Sequence, residues 1–140
     1  MLVRLLYASR AVDIGDEAIA GILAHSRQYN PTLGITGILC YGGGVFLQAI
    51  EGGRMAVSEL YGHILNDPRH KDVVLLDFEE ISERRFGGWT MGTVNLHKLN
   101  HSILLKYSEK AELDPYAASG KVSMALLEEL MATAAIIGRS

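Results

Sequence analysis

Gln48 is the residue that least matches its neighbours. It stands in Val45-Phe46-Leu47-Gln48-Ala49-Ile50, a run with the composition of a buried strand, and an amide taken out of water without partners costs roughly 1 to 3 kcal/mol. Two kinds of partner are open: a nearby hydroxyl or loop carbonyl, or the polar edge of a ligand in an otherwise apolar cleft. Tyr7, in Leu5-Leu6-Tyr7-Ala8, poses the same choice between a core phenol whose hydroxyl reaches the rim and a ligand contact. Ser26 and Asn30 either close the last turn of a helix or face inward with it. A phenol, a hydroxyl and two amides converging on one apolar space suit a heteroaromatic ligand with donors and acceptors around its rim.

A second polar group lies further along. His63, Asp67, Arg69 and His70 fall close together in sequence, and they fit either a solvated helix end or contacts to a polar ligand tail. One Asp with two His at irregular spacing is a poor metal set. Trp89 and Met91 read as core filling on a short strand that follows a charged loop. Other chemistries lack their parts. Gly42-Gly43-Gly44 sits between strands with no helix behind it and no Lys-Ser/Thr, so it is neither a Walker loop nor a dinucleotide fingerprint. No Ser-His-Asp or Cys-His arrangement is indicated, and no basic residue near Cys40 in sequence would activate it.

The elements that must position these residues are legible from periodicity. Residues 2–8 form a short apolar run, a strand with Val3, Leu5 and Tyr7 on one face. From Asp16 the apolar residues Ile19, Ile22 and Leu23 recur at helical spacing, Ser26 and Asn30 continue the stripe, and Pro31 is the expected stop. Residues 35–41 and 45–51 are strand-like and joined by the three glycines, a hairpin that places Phe46, Gln48 and Ile50 on one face. Gly52-Gly53 opens a helix carrying Val57, Leu60, Tyr61 and Ile64, which ends at Asn66-Asp67-Pro68. Residues 73–78 and 89–94 are the fourth and fifth strands. The order βαββαββ predicts an α+β fold, a ferredoxin-like sandwich with both helices on one sheet face. The other face needs a cover. Leu96, Leu99, Ile103 and Tyr107 fall at helical spacing, and Ser119 opens a further helix with Val122, Leu126, Leu127, Leu130, Met131, Ala134 and Ile137. That last helix is apolar over a wide arc, which fits both packing on the sheet and burial against a second copy.

Composition narrows the function classes. The chain has 140 residues, 49% hydrophobic and 21% charged, enough for one domain with a real core. Lys plus Arg number 13 against 16 Asp plus Glu, for a net charge of -3, so no global positive field is available to hold a nucleic acid backbone. The single cysteine excludes an internal disulfide and fits a reducing, cytoplasmic setting. The apolar N-terminus is too short for a signal peptide, and no apolar run is long enough to span a membrane.

Taken in order, the motifs resemble the BLUF family of flavin photoreceptors. The matching residues are Leu5-Leu6-Tyr7-Ala8-Ser9, Asn30-Pro31 followed by Gly34-Ile35-Thr36-Gly37-Ile38-Leu39, Phe46-Leu47-Gln48 leading to Glu51-Gly52, Asp67-Pro68-Arg69-His70, Arg85-Phe86 and Trp89-Thr90-Met91. They cover residues 2–95, and their conjunction is far more specific than any one of them. The tail, with Leu104-Leu105-Lys106-Tyr107-Ser108, is similar to short BLUF proteins that carry only helices after the flavin domain.

The resemblance implies a flavin domain over 1–95 and a helical extension over 96–140 that caps the sheet or mediates self-association. It implies FAD bound without a covalent link, with FMN or riboflavin as alternatives. Tyr7 would be the electron and proton donor to the photoexcited ring, and Gln48 the amide whose hydrogen bonds rearrange to make a red-shifted signalling state. Ile22 and Ile64 would sandwich the ring, Asn30 would meet its C4 carbonyl and N3, and Phe46 would lie at the cofactor beside Gln48. Ser26 would contact the Gln48 and Met91 region, while His63, Asp67, Arg69 and His70 would meet the pyrimidine edge and the ribityl-phosphate side. Trp89 and Met91 would carry the change to the C-terminal helices, with either of them next to the flavin in the dark. Tyr29 departs from the family pattern at a position where an aromatic can lie over the ring edge. The expected output passes to a separate protein from a homo-oligomer, with no substrate turned over.

Two rivals share the fold class. A small hydrolase of the acylphosphatase kind would want an anion cradle after the first strand, and Ser9-Arg10-Ala11 has the Arg without the glycines. A colourless ferredoxin-like regulatory module binding a metabolite is the other, and colour separates it from a flavoprotein.

Overall fold

A computed structural model of the chain describes residues 1–12, 16–89, 91–96 and 101–133. The elements are β1 (Leu2–Ala11), α1 (Asp16–Leu33), β2 (Thr36–Gly42), β3 (Val45–Gly53), α2 (Arg54–Leu65), β4 (His70–Ile81), β5 (Gly92–Asn95), α3 (His101–Tyr107) and α4 (Gly120–Ala132). One sheet runs in the order β4-β1-β3-β2-β5. β1 pairs antiparallel with both β3 and β4, β2 pairs antiparallel with β3, and β5 joins parallel to β2. This is the α+β, ferredoxin-like arrangement that the strand and helix pattern predicts.

Strand alternation divides the core in two. Val3, Leu5, Tyr7, Leu39, Phe46 and Ile50 point to one side and pack with Ile22 of α1 and Val57 of α2. Leu6, Ile38, Cys40, Leu47 and Ala49 point to the other and meet Leu104 of α3 and Leu126, Leu127 and Leu130 of α4. The C-terminal helices thus cover the second face, as expected. Ser119 caps α4, its side chain accepting from the Val122 N–H, which is the role its position before the helix indicates. Ala134 and Ile137 of the same expected helix lie outside the described residues, as do Leu99 and Thr90.

Two glycine-dependent turns set the frame. Gly43 and Gly44 have φ of 59° and 76°, the pair of left-handed conformations that a two-residue hairpin between twisted strands requires. At the end of α1, Gly34 has φ 69°. Its N–H donates to the Pro31 carbonyl at 3.3 Å while the Ile35 N–H donates to that of Asn30 at 2.9 Å, a Schellman closure.

That closure corrects one boundary: the expected stop at Pro31 is not where the helix ends, and α1 runs on to Leu33 with Pro31 inside it. A proline in the last turn gives up only its own N–H bond, and Gly34 is what reverses the chain. β4 is longer than the expected 73–78 because it pairs with β1 from His70 opposite Ala11 to Ile81 opposite Leu2. β5 begins only at Gly92, so Trp89 and Met91 precede the strand rather than lying on it. α3 is described from His101, Leu96 is a buried core residue, and 97–100 lie outside the described residues. Among the described residues no helix is long and apolar enough to cross a membrane.

Candidate functional site

Antiparallel pairing sets Tyr7 of β1 opposite Gln48 of β3, and cross-strand partners project to the same face. Both are buried, 1% and 5% exposed. The Tyr7 hydroxyl donates to Gln48 Oε1, and Gln48 Nε2 donates to Met91 Sδ at 3.3 Å. The amide is therefore held at both ends, one of them by a weak sulfur acceptor. Burial raises the Tyr7 pKa, with smaller contributions from Tyr61 and Asp67, so the phenol keeps its proton and acts as a donor. The Tyr61 ring lies 5.7 Å from that of Tyr7.

Tyr7 and Gln48 both line a cavity of about 470 Å3 between the sheet and the paired helices, within the usual range for a small-molecule or cofactor site. Ile22, Ser26 and Asn30 reach it from α1, and His63 and Ile64 from α2. Asp67, Arg69 and His70 complete it from the loop after α2 and the start of β4. Asn30 is 2% exposed. Ser26 returns its hydroxyl to the Ile22 carbonyl at 3.1 Å, so it contributes a small side chain at the cavity wall. The mix of apolar side chains from α1 and α2 with amides at the rim fits a flat heteroaromatic ring bearing donors and acceptors, which is what a flavin is.

At the polar end Asp67 grips Arg69 in a forked pair, Nε to Oδ1 at 3.1 Å and Nη2 to Oδ2 at 2.7 Å, and also accepts from the Arg69 N–H at 2.9 Å. The side-chain bonds from Arg69 hold the Asp67 carboxyl below its ordinary pKa. The Ser9 hydroxyl and His70 Nδ1 are 2.8 Å apart. Burial pushes the His70 pKa down against the opposing pull of Asp67, which favours a neutral imidazole with one donor and one acceptor at the cavity edge. Among the described residues no three His, Cys, Asp or Glu side chains gather as metal ligands.

Two expected positions fall elsewhere. Phe46 is not among the side chains that line the cavity; its ring packs 5.2 Å from that of His70, which is among them. Trp89 belongs to the core under the C-terminal helices, beside Phe86, whereas Met91 is fully buried in the core on the cavity side. Met91, not Trp89, is thus the residue at Gln48 in this structure. Other lining residues went unpredicted: His25 and Leu33 on α1, and Ala56, Glu59 and Leu60 on α2. Tyr29, named above as an aromatic that can lie over the ring edge, also lines the cavity, its ring 4.6 Å from that of His25. For the α1 residues the signal was present, because positions 22, 25, 26, 29, 30 and 33 form one helical stripe once polar residues are counted with apolar ones.

Comparison with known proteins identifies the family. The family described as BLUF, sensors of blue-light using FAD, matches residues 2–92. Photoactivated adenylate cyclase subunit beta of Euglena longa is 37% identical over 92 residues, which are 64% of this chain and 11% of that protein. The blue light- and temperature-regulated antirepressor BluF of Escherichia coli (strain K12) is 34% identical over 103 residues, 70% of this chain and 25% of that protein. The chain therefore spans at most a quarter of the length of these two relatives. Among solved structures, the dark state of the BLUF protein BlrB is 39% identical with a TM-score of 0.79, over 94% of this chain and 95% of that one. The photo-activated state of BlsA is 29% identical with a TM-score of 0.84, over 95% and 96%. With its five-stranded sheet, its cavity between paired helices and a family match over most of its length, the chain belongs to the BLUF family of blue-light sensors, and its cofactor is FAD.

Proposed function

We propose that the cavity between α1 and α2 holds the flavin ring and that Tyr7 and Gln48 convert absorbed blue light into a change of hydrogen bonding, with no substrate turned over. The hydrogen-bond chain from Tyr7 through Gln48 to Met91, at the wall of that cavity, carries the reading. Ile22 and Ile64 flank the ring, Asn30 meets its C4 carbonyl and N3, and His63, Asp67, Arg69 and His70 face the pyrimidine edge and the ribityl-phosphate side. When bound, FAD supplies absorption of blue light and an excited ring that takes an electron from a neighbouring phenol.

The chain's own residues account for the rest. In the dark the Tyr7 hydroxyl holds Gln48 Oε1, and Gln48 Nε2 faces Met91 Sδ. A phenol that has lost an electron is a far stronger acid, so its proton follows the existing hydrogen bond from Oη to Oε1. Gln48 then has a hydrogen where it had an acceptor. Once the amide has rotated, or has moved a proton between Nε2 and Oε1, Tyr7 takes back the electron and one proton. The phenol and the ring thus end neutral, and only the donor and acceptor positions of Gln48 have changed, without any movement of the backbone. The new pattern around the flavin is the red-shifted signalling state. Met91 loses its donor, and the change runs through the segment shared with Trp89 to the core under α3 and α4. From there a separate partner protein reads it, from a homo-oligomer. Relatives named as photoactivated cyclases and an antirepressor support a light-sensing unit that controls an output outside itself.

Gln48→Leu tests the assignment. Leucine keeps the volume and removes both polar groups, so the protein is expected to retain FAD and to lose the wild-type light-minus-dark absorption change. A variant with an unchanged difference spectrum takes Gln48 out of the mechanism.

A further inference from the structure

Glu51 lies outside the cavity and yet is a buried charge, 0% exposed. It stands on β3 three residues beyond Gln48, so alternation turns it to the opposite sheet face. Its Oε2 accepts from Arg4 Nη1 at 3.0 Å and from the Arg85 N–H at 3.0 Å, and its Oε1 accepts from the Phe86 N–H at 2.7 Å. Burying a carboxylate is costly unless its lone pairs are filled. Here the main-chain donors that fill them belong to one loop, and charge-assisted bonds to main-chain N–H groups fix a loop firmly.

That loop leads directly to the relay. The Trp89 N–H donates to the Phe86 carbonyl at 3.2 Å, the Phe86 and Trp89 rings stack with centroids 6.1 Å apart, and the Gly37 N–H donates to the Trp89 carbonyl at 3.2 Å. Arg84 adds a bond from Nη1 to Thr36 Oγ1 at 2.9 Å. Met91 follows, with its sulfur on Gln48. One strand therefore holds the same segment twice, through Glu51 on the C-terminal-helix side and through Gln48 on the cavity side.

We propose that Glu51 is a positioning residue for the light response: its carboxylate clamps the 85–86 backbone so that Met91 Sδ is presented to Gln48 Nε2 in the dark, and only the stretch beyond Phe86 yields when Gln48 changes partners. The inference rests on the reading of Gln48 and Met91 given above.

Trp89 is the chain's one tryptophan, so fluorescence excited at a wavelength that tyrosine does not absorb reports this segment. The experiment compares FAD-loaded full-length wild type with Glu51→Gln, recording the light-minus-dark absorption change and the quenching of Trp89 by acrylamide in both states. Glutamine keeps the shape but sets an NH2 donor against a main-chain N–H. Glu51→Gln is expected to keep the absorption shift, because the Tyr7–Gln48 pair is untouched. Its Trp89 is expected to be quenched about twofold more strongly in the dark, with the light-minus-dark difference in quenching reduced by about half, as for a segment released from its local hold. Wild-type quenching in both states overturns the proposal, since a merely structural Glu51 lowers Tm without freeing Trp89 in the folded protein. If Glu51→Gln does not fold, Glu51→Asp, which keeps the charge and withdraws it by one methylene, is judged by the same criteria. If wild type itself shows no reversible shift, the Gln48 reading fails, and the dark-state quenching still decides whether Glu51 holds Trp89.

Discussion

Tyr7→Phe is expected to leave a yellow, folded protein whose spectrum no longer responds to blue light. The ring is retained, so its packing beside Tyr61 and His70 persists. Only the hydroxyl is lost, and with it the donor to Gln48 Oε1. An acceptor left buried without a donor costs about 1 to 3 kcal/mol, too little to unfold a domain of this size but enough to register in a melting curve. The photochemical effect is total by contrast. Phenylalanine has no acidic proton to pass to the amide, and its ring gives up an electron far less readily than a phenol. Absorption spectra of the variant before and after illumination, with bound FAD quantified after denaturation, check both halves. A Tyr7→Phe protein that shifts and recovers like wild type contradicts the donor assignment.

Gly37→Ala is expected to have the largest effect on folding. Gly37 lies on β2 opposite Ile50 of β3, and a methyl added there overlaps the Ala49 carbonyl oxygen and comes within 3.2 Å of the Ala49 carbonyl carbon and 3.3 Å of the Ile50 Cα. Those atoms are backbone in the central pair of strands that carries Gln48, so no side chain can swing aside. The Gly37 N–H also donates to the Trp89 carbonyl, so any shift of β2 disturbs the approach of the relay segment. A cost of roughly 4 kcal/mol or more is expected, of the size reserved for overpacked or strained core sites, and it lowers Tm by about 10 °C or more in a domain of this length. Gly62→Ala is the control: it lies in α2 with nothing within 4 Å of an added methyl, and it is expected to gain about 0.5 to 1 kcal/mol. Thermal melts followed by circular dichroism decide, and a Gly37→Ala protein melting with wild type contradicts the close packing of β2 on β3.

What was legible in the amino-acid sequence follows physical lines. The hairpin, the paired helices and the shared face of Tyr7 and Gln48 depend on alternation and on glycines in turns, which are local properties. The end of α1 was obscured because Pro31 is a stop signal in isolation, whereas the closure depends on Gly34 and on bonds back to Asn30 and Pro31. β4 extends past its apolar stretch because β1 offers a full-length partner, and a ladder of main-chain bonds does not care which side chains it carries. Trp89 and Met91 look like neighbours on one strand, but they fall in different cores, and only the folded sheet shows Met91 hydrogen-bonded to Gln48 on the cavity side. The Glu51 clamp was hidden for the same reason, since Arg4, Arg85 and Phe86 come to it from distant parts of the chain.

The light-minus-dark absorption spectrum of the purified, FAD-loaded chain tests the central claim most directly, namely that a phenol and an amide beside one bound flavin exchange hydrogen bonds when it is excited. The account predicts that the flavin band moves to longer wavelength under blue light, keeps its intensity, and returns in the dark with no loss of cofactor. A band that stays in place, or one that only bleaches and does not recover, contradicts it.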